Sequence, residues 1–155
     1  MEIPKSLLGE YEIGQIGYLV PNLEEGVKKL ETFLGKKCDN INQSLEYERS
    51  LCTYKGERCD AKATCAFFNF ANGMSLELIE PDGKPSIWTD DLPLYEGRVH
   101  HIAFFVTGTD ELIPKLEAEG FKLIQRGKYV GGQYSFFEAD GVLKARLELL
   151  ENFPT

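Results

Sequence analysis

Apolar side chains recur along the chain at two spacings. Ile13-Gly14-Gln15-Ile16-Gly17-Tyr18-Leu19-Val20 and Val99-His100-His101-Ile102-Ala103-Phe104-Phe105-Val106 read as β-strands, bounded by turn-forming residues. A helical stripe follows each. Val27, Leu30, Phe33 and Leu34 make the first, with Asn22 as N-cap and Gly35 as stop. Leu112, Ile113 and Leu116 make the second, after the capping pair Thr109-Asp110, with Pro114 near the first turn and Gly120 as stop. Thr64 to Phe70 and Met74 to Glu80 read as paired strands about Ala71-Asn72-Gly73, since Asn-Gly accepts positive φ cheaply. Phe121 to Tyr129, Gln133 to Glu138 and Leu143 to Glu151 read as strands, with turns at Gly131-Gly132 and Ala139-Asp140-Gly141. Residues 36–62 are polar and turn-prone; there Leu45 to Tyr54 reads as a strand and Lys55-Gly56 as a turn. The Pro- and Gly-rich stretch 81–97, which holds the single Trp88, reads as a linker.

The two halves match. Gln15 to Val20 aligns with His101 to Val106, and Leu76-Glu77-Leu78-Ile79-Glu80 aligns with Leu147-Glu148-Leu149-Leu150-Glu151. The offset falls from 86 residues at the first strand to 71 at the last, so the first half carries extra residues before its final strand. A repeated β-α-β-β-β unit is expected, with one module at about 11–82, another at about 97–152 and a linker at about 83–96. The repeat pairs Gln15 with His101, and Glu77 with Glu148. Each is a polar residue in an apolar strand. Leucines flank both glutamates, and alternation sends those leucines to the helix side and the glutamates to the opposite, concave face. A buried carboxylate is costly unless it is paired or binds a metal. Alternation also sends His100 and His101 to opposite faces, and His101 shares the parity of Gln15.

Composition narrows the partners. The chain has 155 residues, 43% of them hydrophobic, enough for one domain with a core. Its formal charge of −8 and pI near 4.8 argue against nucleic acid or an anionic membrane as partner. The four cysteines form no C-x-x-C pair. Met1 to Lys5 lacks the look of a signal peptide, and no apolar run approaches the roughly 18 residues of a membrane span. A cytoplasmic setting with free thiols is expected.

One imidazole, two carboxylates and one amide oxygen are a mixed nitrogen and oxygen set. It suits Zn²⁺, Ni²⁺, Co²⁺ or Mn²⁺ with positions left open for a substrate oxygen. Each residue also has an ordinary reading: a core histidine, rim carboxylates, a hydrogen-bonding glutamine. Cys52, Cys59 and Cys65 read as inert thiols rather than nucleophiles.

With these residues in place the chain resembles the vicinal oxygen chelate superfamily, which includes glyoxalase I, methylmalonyl-CoA epimerase, bleomycin-resistance proteins and extradiol dioxygenases. The resemblance runs from about Ile13 to Glu151. It is carried by His-His-Ile-Ala-Phe-Phe-Val at 100–106, by Tyr129-Val130-Gly131-Gly132-Gln133-Tyr134 and by the terminal Leu-Glu-Leu-Leu-Glu. It implies an α+β fold in which two βαβββ modules form a cupped, eight-stranded mixed sheet with helices outside. It implies metal ligands at Gln15, Glu77, His101 and Glu148, and proton transfer beside a chelated carbonyl, with Glu148 as base and Glu77 opposite. The substrate would be a small carbonyl or thioester compound and the protein a homodimer. The segment 43–62 lacks the Glu-Gln-Gly-Val pattern of methylmalonyl-CoA epimerases. The basic residues that hold glutathione in glyoxalase I have only Arg49, Arg98, Lys128 and Arg146 as candidates. Two other readings remain open: a metal-free drug or effector binder, and an Fe(II) dioxygenase, whose two-histidine triad Gln15 breaks.

Overall fold

A computed structural model describes residues 2–139, 141 and 143–155. Asp140, in the expected turn Ala139-Asp140-Gly141, lies outside the described residues. Among the described residues there are ten strands and four helices, and all ten strands join one curled, mixed sheet. In chain order they are β1 (Glu12–Leu19), α1 (Leu23–Leu34), β2 (Asn40–Gln43), α2 (Tyr47–Ser50), β3 (Thr53–Tyr54), β4 (Glu57–Arg58), β5 (Ala63–Asn69), β6 (Ser75–Pro81), α3 (Ile87–Tyr95), β7 (Val99–Phe105), α4 (Thr109–Ala118), β8 (Leu123–Tyr129), β9 (Gly132–Phe137) and β10 (Arg146–Asn152).

The strand order is β2-β5-β6-β1-β7-β10-β9-β8-β3-β4. Its middle is symmetric. β1 and β7 meet antiparallel at the seam, and each runs parallel to the last strand of its own half, β6 or β10. The expected eight-stranded sheet is therefore extended by two. The extra residues of the first half fold as α2 and the β3–β4 hairpin, and that hairpin pairs with β8, the edge strand of the second half. Leu45 to Tyr54 is accordingly not one strand. Tyr47–Ser50 is a helical turn that ends on Leu51 at φ 50, and only Thr53–Tyr54 is extended. Lys55-Gly56 is the expected turn, with φ 53 and 80.

Burial follows the alternation. The convex face carries α1 and α4. Leu23 and Val27 of α1 pack on Ala66, Phe68 and Leu78, while Leu112, Ile113 and Leu116 of α4 pack on Phe137 and Leu149. Phe33 departs from the expected stripe and is 84% exposed, pointing away from the sheet. Fully burying one such Leu or Phe stabilises the fold by roughly 1.5–3 kcal/mol. Asn22 caps α1 by accepting from Glu25 N at 3.0 Å, and Gly35 ends it at φ 66. At α4 the N-cap is Gly108 rather than Thr109, and the carboxylate of Glu151 does the capping instead. Pro114 falls inside this helix, deeper than its first turn.

The stretch read as a linker contains α3. Ser86 caps it by accepting from Thr89 N, and Gln125 accepts from Ile87 N at 2.8 Å, pinning its start to β8. Ile87 and Trp88 are buried with Leu19, Ala63, Ile79, Tyr134 and Phe136. This helix packs against β1, β6 and β7 on the concave side, so one of the helices lies within the cup and not outside it.

Candidate metal centre

The four polar positions singled out by the repeat converge at the seam between the halves. Gln15, Glu77, His101 and Glu148 are all buried, with at most 8% of any exposed. His101 Nε2 lies 3.1 Å from Glu77 Oε1 and 3.4 Å from Glu148 Oε1. Among the described residues, these three are the group of histidine, cysteine and acidic side chains with metal-ligating proximity. Gln15 completes the set. Its amide nitrogen donates to Ser75 Oγ at 3.3 Å, and its other terminal atom faces Glu77 Oε1 at 3.2 Å and Glu148 Oε1 at 3.3 Å.

Register explains the convergence. Gly17 sits opposite both Glu77 on β6 and His101 on β7, and Glu148 on β10 sits opposite Ala103. Gly17 leaves the room: a Cβ there would collide with the His101 ring. The neighbouring histidine does not obey simple alternation. Gly17 pairs with His101 and Tyr18 with Val99, so His100 is the extra residue of a β-bulge. The bulge re-aims its ring. His100 is fully buried, its Nδ1 lies 2.9 Å from His101 Nδ1, and its Nε2 lies 2.9 Å from Asp91 Oδ2 on α3.

The charges are poorly compensated. Burial, and then the neighbouring Glu77, push the Glu148 carboxyl well above the usual range. Burial and the same glutamate raise the Cys65 thiol well above its ordinary value. Burial lowers His100 to about 4, against the pull of Asp91. For Asp91 burial opposes ionisation, yet bonds from His100 and Arg146 hold its carboxyl below the ordinary value.

A divalent cation fits this set. Metal–ligand bonds of about 2.1 Å separate tetrahedral ligand atoms by about 3.4 Å and adjacent octahedral ones by about 3.0 Å. The separations of His101 and of Gln15 from the two glutamates run from 3.1 to 3.4 Å, and the ligand atoms of Glu77, His101 and Glu148 all lie within 4.8 Å of one another. With its amide oxygen turned inward, Gln15 faces two carboxylate oxygens and no donor. Reversed, its nitrogen donates to both. The first orientation suits a cation at the centre and the second its absence.

Above the centre opens a cavity of about 460 Å³. Its wall is mainly apolar and includes Phe67, Phe105, Phe136, Tyr134, Trp88 and Leu150. Lys128 is the one cationic side chain lining it among the described residues. Of the other basic candidates, Arg146 binds Asp91, Arg49 pairs with Glu46 on the surface, and Arg98 lies over the Tyr95 ring. Sequence reasoning missed Asp91, which lies in the supposed linker, and the bulge at His100, which no periodicity encodes.

A sequence model of the glyoxalase/bleomycin resistance protein/dioxygenase superfamily matches residues 14–137. The chain belongs to this superfamily. Similar solved structures agree on the fold. The methylmalonyl-CoA epimerase from Mycobacterium tuberculosis superposes with a TM-score of 0.67 at 15% identity, covering 99% of this chain and 94% of that one. A hypothetical protein from Bacillus halodurans C-125 gives 0.66 at 18% identity over 94% and 96% of the two chains. A Streptomyces coelicolor methylmalonyl-CoA epimerase in complex with 2-nitronate-propionyl-CoA gives 0.60 at 19% identity over 90% and 96%. Among curated proteins no sequence matches. No helix among the described residues is long and apolar enough to cross a membrane.

Proposed function

We propose that this superfamily member is a divalent-metal-dependent enzyme of the lyase or epimerase kind, moving a proton next to the carbonyl of a small carbonyl or thioester substrate. The observation that carries the reading is the convergence beneath an aromatic-walled cavity of two buried carboxylates with an imidazole and an amide, each of which lies 3.1–3.4 Å from both carboxylates. Gln15, Glu77, His101 and Glu148 would hold the ion, here Zn²⁺, Ni²⁺, Co²⁺ or Mn²⁺. The bound ion would supply Lewis acidity toward a substrate carbonyl oxygen.

The chain's own groups do the rest. Glu148 accepts the proton from the carbon beside the carbonyl, because its buried side chain faces the cavity and is the more basic for being dehydrated. Glu77, which lines the same cavity from the other half, delivers its own proton to that carbon, and Glu148 releases the proton it took to solvent, which reprotonates Glu77. The aromatic wall excludes water from the exchanging carbon. Lys128 at the rim attracts an anionic group of the substrate. A homodimer belongs to the same reading by family resemblance, and a cytoplasmic setting by the free thiols.

Solvent exchange tests it whatever the final product. The metal-loaded protein is incubated in D₂O with candidate substrates, beginning with an acyl-CoA thioester such as methylmalonyl-CoA and with α-oxo aldehyde thiol adducts. Deuterium incorporation next to the carbonyl is expected, and Glu148→Gln should slow it at least 100-fold. Full exchange by Glu148→Gln would remove that residue as the base.

A second reading rests on the same cavity. Its Phe-rich wall also suits a flat apolar ligand held without chemistry. Elemental analysis of protein purified without chelators separates the two: near-stoichiometric metal is expected for the enzyme, and its absence favours the binder.

A further inference from the structure

Behind the candidate metal centre runs a buried line of side chains that proton exchange at the carboxylates does not use. His101 Nδ1 meets His100 Nδ1 at 2.9 Å, and His100 Nε2 meets Asp91 Oδ2 at 2.9 Å. Arg146 then closes on Asp91 with Nε to Oδ2 at 3.0 Å and a terminal nitrogen to Oδ1 at 3.1 Å. His100, His101 and Asp91 are 0%, 0% and 5% exposed. The rings of Tyr95 and Phe136 pack on the His100 ring and hold it in place.

The far end of this line fixes its direction. A carboxylate engaged by a guanidinium only accepts hydrogen bonds. His100 must therefore present N–H at Nε2, which leaves its Nδ1 as an acceptor in the neutral ring. His101 must then donate from Nδ1. A ring that carries its proton on Nδ1 keeps a lone pair on Nε2, the nitrogen that faces Glu77 and Glu148; there, unlike at Asp91 with its guanidinium, a cation or a proton on a glutamate carboxyl can meet it. The opposite direction would set the lone pair of His100 Nε2 against Asp91.

We propose that His100 and Asp91, anchored by Arg146, are positioning residues that fix the tautomer and orientation of His101, so that its Nε2 lone pair is directed at the place where the cation would bind. The consequence for metal affinity rests on the cation reading above; the direction of the string does not. Hydrogen-bond partners of a ligating histidine typically change metal affinity 10- to 100-fold.

The chain has two histidines, so ¹⁵N-histidine NMR resolves both tautomers directly. In the metal-free protein His100 is expected as the Nε2–H form. After Zn²⁺ loading His101 is expected to carry its proton on Nδ1. Finding His100 as the Nδ1–H form would overturn the proposal without any variant. Asp91→Ala should let both His100 forms appear in the metal-free protein; a single unchanged Nε2–H form would remove Asp91 from the string. Zn²⁺ affinity by chelator competition supplies the second arm. His100→Phe keeps an aromatic ring beside Tyr95 and Phe136 but removes the acceptor, and should weaken binding 10- to 100-fold. His100→Asn loses the ring but offers an oxygen near the Nδ1 position, and should stay within about threefold of the natural protein. The reverse order would mean that the ring acts only by packing. If the natural protein binds none of Zn²⁺, Ni²⁺, Co²⁺ or Mn²⁺, the cation reading fails, and the tautomers of the metal-free protein support or overturn the string on their own.

Discussion

At the scale of single residues, Gly17 and His101 are one decision made twice. The imidazole occupies the space that a side chain at position 17 would need. Gly17 is not in the left-handed region, so its backbone would tolerate alanine, and the cost of Gly17→Ala is steric alone. That substitution should displace the ring and weaken Zn²⁺ binding at least tenfold while the far-ultraviolet circular dichroism stays unchanged; undiminished affinity would mean that the ring does not sit where the ion binds. Gln15, Glu77, His101 and Glu148 were legible from sequence because a polar residue repeated at equivalent points of two apolar strands demands a partner. Asp91 was not legible, because its helix shows no amphipathic period and is flanked by turn formers. Strict alternation sends His100 away from His101, to a helix or to solvent; its ring does lie against α3, but a bulge set by pairing between β1 and β7, and by neither strand's own pattern, also brings it beside His101.

At the scale of elements, the two halves cap their outer helices in the same way. Glu80 at the end of β6 accepts from Leu23 N at 2.9 Å, and Glu151 at the end of β10 accepts from Gly108 N and Thr109 N, both at 2.9 Å. Gln133 adds a third donor to Glu151 at 3.0 Å. Partial burial works against ionisation of Glu151, but these donors prevail and hold its carboxyl down at about 2. A depressed carboxyl stabilises the fold above its unfolded value and loses that contribution as pH falls through the folded one. Thermal scans should therefore show stability dropping between about pH 4.5 and 2, in part through this group. Glu151→Gln should cost about 1–2 kcal/mol at neutral pH and flatten that part of the profile; an unchanged melting curve would remove the cap as a source of stability. Helices and long strands were legible because α1, α4 and the paired strands carry period and caps together. The insert was not. Tyr47–Ser50, β3 and β4 are too short for a period to show, and what makes them ordered is the edge of β8, far along the chain.

At the scale of the whole molecule, the candidate metal centre sits on the seam where β1 meets β7, so each half supplies two of its four groups. A cation bound there would tie the halves together, and unfolding would separate the ligands. Such a ligand stabilises the native state by mass action, by about 4 kcal/mol when its free concentration is 1,000 times Kd. For a chain of this size about 1 kcal/mol moves Tm by roughly 2–4 °C. Adding saturating Zn²⁺, Ni²⁺, Co²⁺ or Mn²⁺ to protein stripped with a chelator should therefore raise Tm by roughly 8–16 °C, and Glu77→Gln should abolish most of the gain. The measurement is differential scanning calorimetry with and without chelator. A Tm that does not move with any of the four ions would leave two buried, mutually repelling carboxylates sharing a proton in place of a cation. The aromatic cavity above them would then have to be explained as a binding site for an apolar ligand.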